Sequence, residues 1–205
     1  NLSKSFRGKS VLQNFYQDFQ KGKIYAIVGA NGSGKTTLIN IMLGLYNNEY
    51  SGHIYYDGIP LEDLDQRHVN KNLTAVAEQV CTLFEDTVEY NITLGDATIK
   101  EGEINDFLKL FSLFDFIHSL PNGVKTIVSE KAINFSGGEK QKICLIRALL
   151  KRTDILILDE PTSALDNEAA TQLIHHLVEI KSNRIIIIVT HDRSFDEIVD
   201  ETITF

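Results

Sequence analysis

Three short apolar runs rich in β-branched residues, Ile24 to Val28, Ile155 to Leu158 and Ile185 to Val189, interrupt an otherwise mixed pattern of polar and apolar positions. Runs this short, apolar without alternation, predict strands covered on both faces, as in a parallel sheet. Each is followed by a polar turn and a helical pattern. Leu173, Leu177 and Ile180, with Ile174 and Val178 beside them, put an apolar stripe on a helix from about Asn167 to Lys181. The alternation of strands and helices predicts an α/β fold. From about Cys81 to Arg152 the pattern changes: Val88 to Leu94, Glu103 to Leu120 and Glu139 to Lys151 read as helices, with no convincing strand between them. A helical insertion into the sheet domain is expected there. His53-Ile54-Tyr55-Tyr56-Asp57-Gly58 alternates and closes on an Asp-Gly turn, which predicts a small antiparallel hairpin. The last residues, Glu201 to Phe205, are strand-like.

Composition narrows the reading. At 205 residues and 43% hydrophobic, the chain can bury one substantial core with a small appended subdomain. A formal charge of -8 argues against a nucleic-acid surface or direct attachment to an anionic membrane. No apolar run approaches the ~18 residues that span a bilayer, and Asn1-Leu2-Ser3-Lys4 is no signal peptide, so a soluble piece is expected. The absence of an initiator Met suggests a domain of something longer. Cys81 and Cys144 lie far apart, without disulfide or metal-ligand spacing. Both are expected to be packing residues in a reduced compartment.

Gly29-Ala30-Asn31-Gly32-Ser33-Gly34-Lys35-Thr36 has the form Gly-x-x-x-x-Gly-Lys-Thr, between a predicted strand and a helix starting near Lys35. Such a loop points successive amides inward at phosphate oxygens, and the helix N-terminus adds positive potential. It predicts ATP binding. Lys35 would bridge the β- and γ-phosphates, Thr36 would ligate Mg²⁺, and Thr37 would support the α-phosphate. The alternative is a glycine-rich turn capping a helix.

Asp159 and Glu160 follow an apolar strand, at the carboxyl end where α/β sheets hold their ligands. Successive strand residues point to opposite sides, so the two acids need not repel at one point. Asp159 is assigned to the metal, directly or through water, and Glu160 to general base. A solvated strand end is the competing explanation. His191 emerges after Ile185 to Thr190 at the expected same edge, where it would polarise the γ-phosphate; as a lone loop histidine it would be a surface residue. Phe135-Ser136-Gly137-Gly138-Glu139 precedes a helix carrying Ile143, Ile146 and Leu150. Ser136 and Glu139 make a capping box, complete in itself. The two glycines beside the cap leave bare amides for a phosphate.

Taken in order, these motifs closely resemble the nucleotide-binding domain of an ATP-binding cassette (ABC) transporter over essentially the whole chain. Ser136-Gly137-Gly138-Glu139 corresponds to the family's signature motif, and Asp159 to Asp166 to the strand-B acids and following D-loop. Gln79 falls at the Q-loop, His191 at the switch histidine, and Phe6 at the aromatic that stacks on adenine. The resemblance implies a P-loop NTPase parallel-sheet core (1–80 and 153–205) with a small antiparallel β subdomain, and a helical subdomain (81–152). It also implies a head-to-tail homodimer sandwiching two ATP molecules, each between one protomer's phosphate loop and the other's signature. Ser136, Gly137, Gly138 and Glu139 would then meet ATP held by the partner, Gln79 would sense Mg²⁺, and Asp166 would help join the two sites.

Within the family, Thr87 to Ile92 and Glu130 resemble exporter-type domains, which meet coupling helices of a transmembrane domain at the cytoplasmic side of the membrane. Peptide or lantibiotic export is one group so implied. A non-transport ABC ATPase acting on a macromolecular complex is the alternative. The sequence departs from the family pattern at Phe135 and Glu139, commonly Leu and Gln, at Phe6, more often Tyr, and at Ala77-Glu78 before Gln79.

Overall fold

The computed structural model describes residues 1–46, 49–129 and 135–205. In chain order it contains β1 (Leu2–Phe6), β2 (Lys9–Phe15), β3 (Ile24–Val28), α1 (Lys35–Met42), β4 (Tyr55–Tyr56), β5 (Ile59–Pro60), α2 (Gln66–His68) and β6 (Thr74–Ala77). There follow α3 (Val88–Thr93), α4 (Glu101–Leu110), α5 (Phe114–Ser119), α6 (Gly137–Leu150), β7 (Ile155–Asp159), α7 (Asn167–Ile180), β8 (Ile185–Val189) and β9 (Glu201–Thr204). The central sheet runs β6-β7-β8-β3-β9 with every pairing parallel. Two small antiparallel pairs, β1-β2 and β4-β5, stand outside it.

Side-chain alternation along the buried strands sorts the core into two faces. Ile24, Leu156, Leu158, Ile186 and Ile188 share one apolar cluster with Leu173 and Leu177 of α7 and Ile143 and Ile146 of α6. Tyr25, Ile27, Ile155, Ile157, Ile187 and Val189 face the other way, onto Leu38, Ile41 and Met42 of α1 and onto Leu2 and Leu12 of the β1-β2 pair. A strand whose odd and even residues are both buried must read as a continuous apolar run, which is how β3, β7 and β8 read. The predicted hairpin is β4-β5, turning through Asp57 at φ 49° and Gly58 at φ 80°, the pair of positive angles that a two-residue hairpin loop requires.

Two expectations are corrected. The single helix expected from Glu103 to Leu120 is two, α4 and α5, because Ser112 adopts φ 56° and the Leu113 amide reaches back to the Leu108 carbonyl at 2.8 Å. That closure ends a helix as a glycine cap would, without a glycine to signal it. Cys81 and Cys144 are joined in a disulfide, with Cα atoms 6.2 Å apart across a sequence separation of 63. Linear spacing carries no information here, because α6 packs against β6 and so lies beside the segment that follows β6.

Between the sheet and α3, one fully buried polar side chain organises the chain. The Asn91 carboxamide accepts from the Phe84 amide at 2.7 Å and donates to the carbonyls of Phe84 at 3.0 Å and Thr87 at 2.9 Å. Arg147 of α6 donates through Nε to the Asn91 carbonyl at 2.6 Å. Asn91→Ala leaves part-buried groups on the 84–87 turn and a polar-lined gap without partners, so stability is expected to fall by roughly 1–3 kcal/mol. A thermal melt should record a drop in Tm on the order of 5–10 °C; an unchanged melt would remove Asn91 from this role.

Candidate functional site

Because β3, β7 and β8 are parallel, their carboxyl ends share one edge of the sheet, where Asp159 pairs with Val189 and Val189 with Ile27. The Gly29–Thr36 loop, Asp159-Glu160 and His191 all leave the sheet there. β6 ends beside them too, with Ala77 opposite Leu158, so the exposed Gln79 emerges along the same edge.

The loop's backbone needs glycine where neighbours crowd it. A Cβ on Gly29, at φ 153°, would stand 2.8 Å from the Phe205 carbonyl oxygen, and one on Gly34, at φ 116°, 2.9 Å from that of Val11. Gly34 is the N-cap of α1 and supplies no side-chain cap, which leaves the first-turn amides to an outside acceptor. Lys35, 9% exposed, donates through Nζ to the carbonyls of Gly29 at 2.6 Å and Ala30 at 3.1 Å, so its charge lies folded over the loop. The buried Ser33 hydroxyl has no hydrogen-bond partner among the described residues. Uncapped amides, an orphaned hydroxyl and a held ammonium fit a polyphosphate.

Asp159 is half-buried, and burial pushes its carboxyl up, Glu160 and Glu78 pushing the same way while Lys35 opposes them. The expected separation of the two acids therefore reduces their repulsion without removing it. Glu160 sits at φ 48°, outside the strand, with its amide donating to the Val189 carbonyl at 2.8 Å. That turn brings its Oε1 to 3.9 Å from Nε2 of the half-exposed His191. Asp192 follows, accepting from the Thr162 hydroxyl at 2.8 Å and tying the β8 loop to the β7 loop. A raised Asp159 means that folding takes up a proton: stability falls as pH rises from the ordinary aspartate range through the folded value. Asp159→Asn should accordingly melt higher than the parent at neutral pH without ligand, and lose that advantage in acid. A lower melting point at neutral pH would contradict it.

At the second glycine motif the capping box is formed. The Ser136 amide donates to Glu139 Oε2 at 2.7 Å, the Ser136 hydroxyl donates to it at 2.8 Å, and the Glu139 amide returns to the Ser136 oxygen at 3.2 Å. Glu139 is thereby turned back onto its own helix. Gly138 faces Ala164, whose Cβ would lie 3.7 Å from an added one. Asp166 caps α7, accepting from the Ala169 amide at 2.8 Å. Phe6 stays 39% exposed, edge to face with Tyr46 at 5.7 Å, and Lys4 Nζ lies 4.7 Å from its ring centre. Asn31, Gly32, Thr36 and Thr37 lie on the loop's exposed or half-buried side. Thr87 caps α3, its hydroxyl accepting from the Tyr90 amide at 2.9 Å. Glu130 lies outside the described residues.

Sequence reading missed three contributors. Gln141 Nε2 donates to Ser163 Oγ at 2.6 Å and to the Glu160 carbonyl at 3.2 Å, hooking α6 onto the loop that carries the acids. Lys4 and Tyr46 build the wall behind Phe6. None carries a local motif; Gln141 and Tyr46 are defined by long-range contact, and Lys4 stands two residues before Phe6 on β1. Among the described residues no three His, Cys, Asp or Glu side chains gather as a metal cage. Thr36 and Asp159 are a donor set suited to Mg²⁺, which takes its other oxygens from phosphates and water.

The ABC transporter family model matches residues 12–163, about three-quarters of the chain. The chain belongs to that family. It is 40% identical over 181 residues to an ATP-dependent lipid A-core flippase of Saccharophagus degradans, covering 88% of this chain and 30% of the relative. Against the ATP-dependent lipid A-core flippase of Haemophilus influenzae it is 37% identical over 205 residues, covering 98% and 34%. The solved structure of a bacterial Atm1-family ABC exporter with ATP bound superposes with a TM-score of 0.87 at 30% identity, covering all of this chain and 36% of that one. The chain thus spans about a third of these relatives' length.

Proposed function

We propose that this domain binds and hydrolyses Mg-ATP as the motor of an ABC exporter, at a site completed by a second copy. The observation that carries the reading is the shared carboxyl edge: the phosphate loop, Asp159, Glu160 and His191 leave adjacent parallel strands beside one another. Gly29–Thr36 cradles the phosphates with amides, and Lys35 turns from the Gly29 and Ala30 carbonyls toward them. Thr36 and Asp159 would hold Mg²⁺ and Gln79 would sense it, the ion supplying charge neutralisation when bound. Glu160 takes the proton of the attacking water, and His191, 3.9 Å away, faces the γ-phosphate.

Ser136 to Glu139 close the site on the partner's nucleotide, with Gly137 and Gly138 presenting amides, while Asp166 links the two sites. In the capping box the Glu139 carboxylate takes the Ser136 amide and hydroxyl, so a triphosphate has to displace it to reach those donors. Phe6 offers its π-face to the adenine. Residues 81–152 serve as the helical subdomain and 1–80 with 153–205 as the nucleotide-binding core.

Exposed Phe84 and Tyr90 of the helical side, with exposed Val80 at the end of the core segment, offer apolar surface suited to coupling helices of a transmembrane domain. Among the described residues no helix is long and apolar enough to cross a membrane, and coupling helices of a transmembrane domain would hold this domain at the cytoplasmic face. Lipid A core is the cargo named by the relatives, and peptides or lantibiotics are the cargo class implied by the sequence resemblance. The membrane part selects between them. Phosphate release from Mg-ATP tests the motor: turnover per chain should rise steeply with protein concentration as copies pair. A rate per chain constant over about a hundredfold range, in protein that stays monomeric, would contradict the composite site.

A further inference from the structure

Cys81 and Cys144 are the chain's two cysteines, and the fold brings them together from two functional segments. Cys81 lies two residues beyond Gln79 in the irregular stretch between β6 and α3, and Cys144 lies on α6, about two turns from Ser136. We propose that the pair is a reversible redox site: oxidation by a small-molecule disulfide ties the Gln79 segment to the signature helix and lowers ATP turnover. The effect on turnover rests on the ATPase reading above.

Accessibility sets the order of the chemistry. Cys81 is half-buried and within reach of solvent, whereas Cys144 is 5% exposed. The Cys81 thiolate attacks one sulfur of the small disulfide, forming a mixed disulfide and expelling one thiolate, which takes up the proton Cys81 gave. The Cys144 thiolate then attacks the Cys81 sulfur and expels the second small thiol. Two cysteine thiols are oxidised, one small disulfide is reduced to two thiols, and a thiol reductant runs the sequence backwards.

The mechanical effect follows from what else holds this stretch. Its start is fixed by the pairing of Ala77 with Leu158 in the sheet, and its end by the hydrogen bonds of Phe84 to Asn91. Between them Gln79 is exposed and Val80 is 80% exposed, and Leu83 packs on the core only at the far end, so the bridge is the anchor nearest Gln79. The bridge adds an anchor in its middle, on the helix that presents Ser136. A segment that must follow the phosphate site through its cycle is then fixed to the element that must engage the partner.

The test uses the full-length protein that contains this domain, treated with glutathione disulfide or with dithiothreitol, alongside Cys81→Ser. Mass mapping of alkylated peptides reads the linkage, phosphate release reads turnover, and hydrogen exchange reads residues 78–86. The linked Cys81–Cys144 peptide should appear on oxidation. Turnover should fall about fivefold or more, with ATP affinity held within about twofold, and recover in reductant. Cys81→Ser should not respond.

Absence of the linked peptide, or equal turnover in the two states of a protein that hydrolyses ATP when reduced, overturns the proposal. If the reduced protein itself hydrolyses no ATP, the ATPase reading fails and hydrogen exchange decides the tie. Protection gained across 78–86 on oxidation and missing in Cys81→Ser supports it; unchanged exchange overturns it.

Discussion

Replacing Glu160 by glutamine should lower ATP turnover by about 10²–10⁴-fold while nucleotide binding is kept. Glutamine keeps the length and the hydrogen-bonding oxygen of the side chain but cannot take a proton from water. The backbone at this position is left-handed, at φ 48°, a conformation that glutamine and glutamate strain alike, so the loop geometry carries over. Charge reinforces the separation of effects. Glu160 is one of the groups that push Asp159 up, and removing it favours the ionised Asp159 that the metal requires. Phosphate release and calorimetry on the same protein check the two halves; undiminished hydrolysis would remove Glu160 from the general-base role.

Lys35→Ala should instead act on binding. In the parent the ammonium is held by two loop carbonyls at 2.6 and 3.1 Å, so on the proposed binding mode it need not be ordered from solution. Its hydrogen bonds to phosphate are charge-assisted, so their loss should weaken ATP affinity by roughly 10–100-fold. The truncation also leaves the Gly29 and Ala30 carbonyls without their donor and frees the loop to relax. The rise in Tm that saturating Mg-ATP gives the parent should shrink accordingly. Equal affinity in the two proteins would contradict the loop assignment.

Much of this architecture was legible in the chain because burial and turn chemistry write local patterns. β3, β7 and β8 are covered on both faces, so each is an unbroken apolar run, and α7 shows its stripe at Leu173 and Leu177. The Asp57-Gly58 turn marks its own hairpin. Phosphate chemistry demands glycine, lysine and a hydroxyl at fixed spacing, and the residues from Gly29 to Thr36 carry it openly.

What stayed hidden is set by contacts between distant segments. The break at Ser112 uses a left-handed serine where a glycine would have announced it. Gln141 is an ordinary helix residue until the Glu160–Ser163 loop is seen beside it. Cys81 and Cys144 have no pairing signature because their proximity comes from α6 lying along β6. Tyr46 shows nothing local and meets Phe6 only through the fold, whereas Lys4 stands two residues before Phe6 on β1.

On the proposed function, the phosphate loop of one copy and Ser136 to Glu139 of another enclose the same ATP. Sedimentation of the Glu160→Gln protein tests it most directly, because slow hydrolysis preserves the closed form. With saturating Mg-ATP the protein should sediment as two chains, and without nucleotide as one. A protein that binds ATP to saturation yet sediments as a single chain in both conditions would contradict the account.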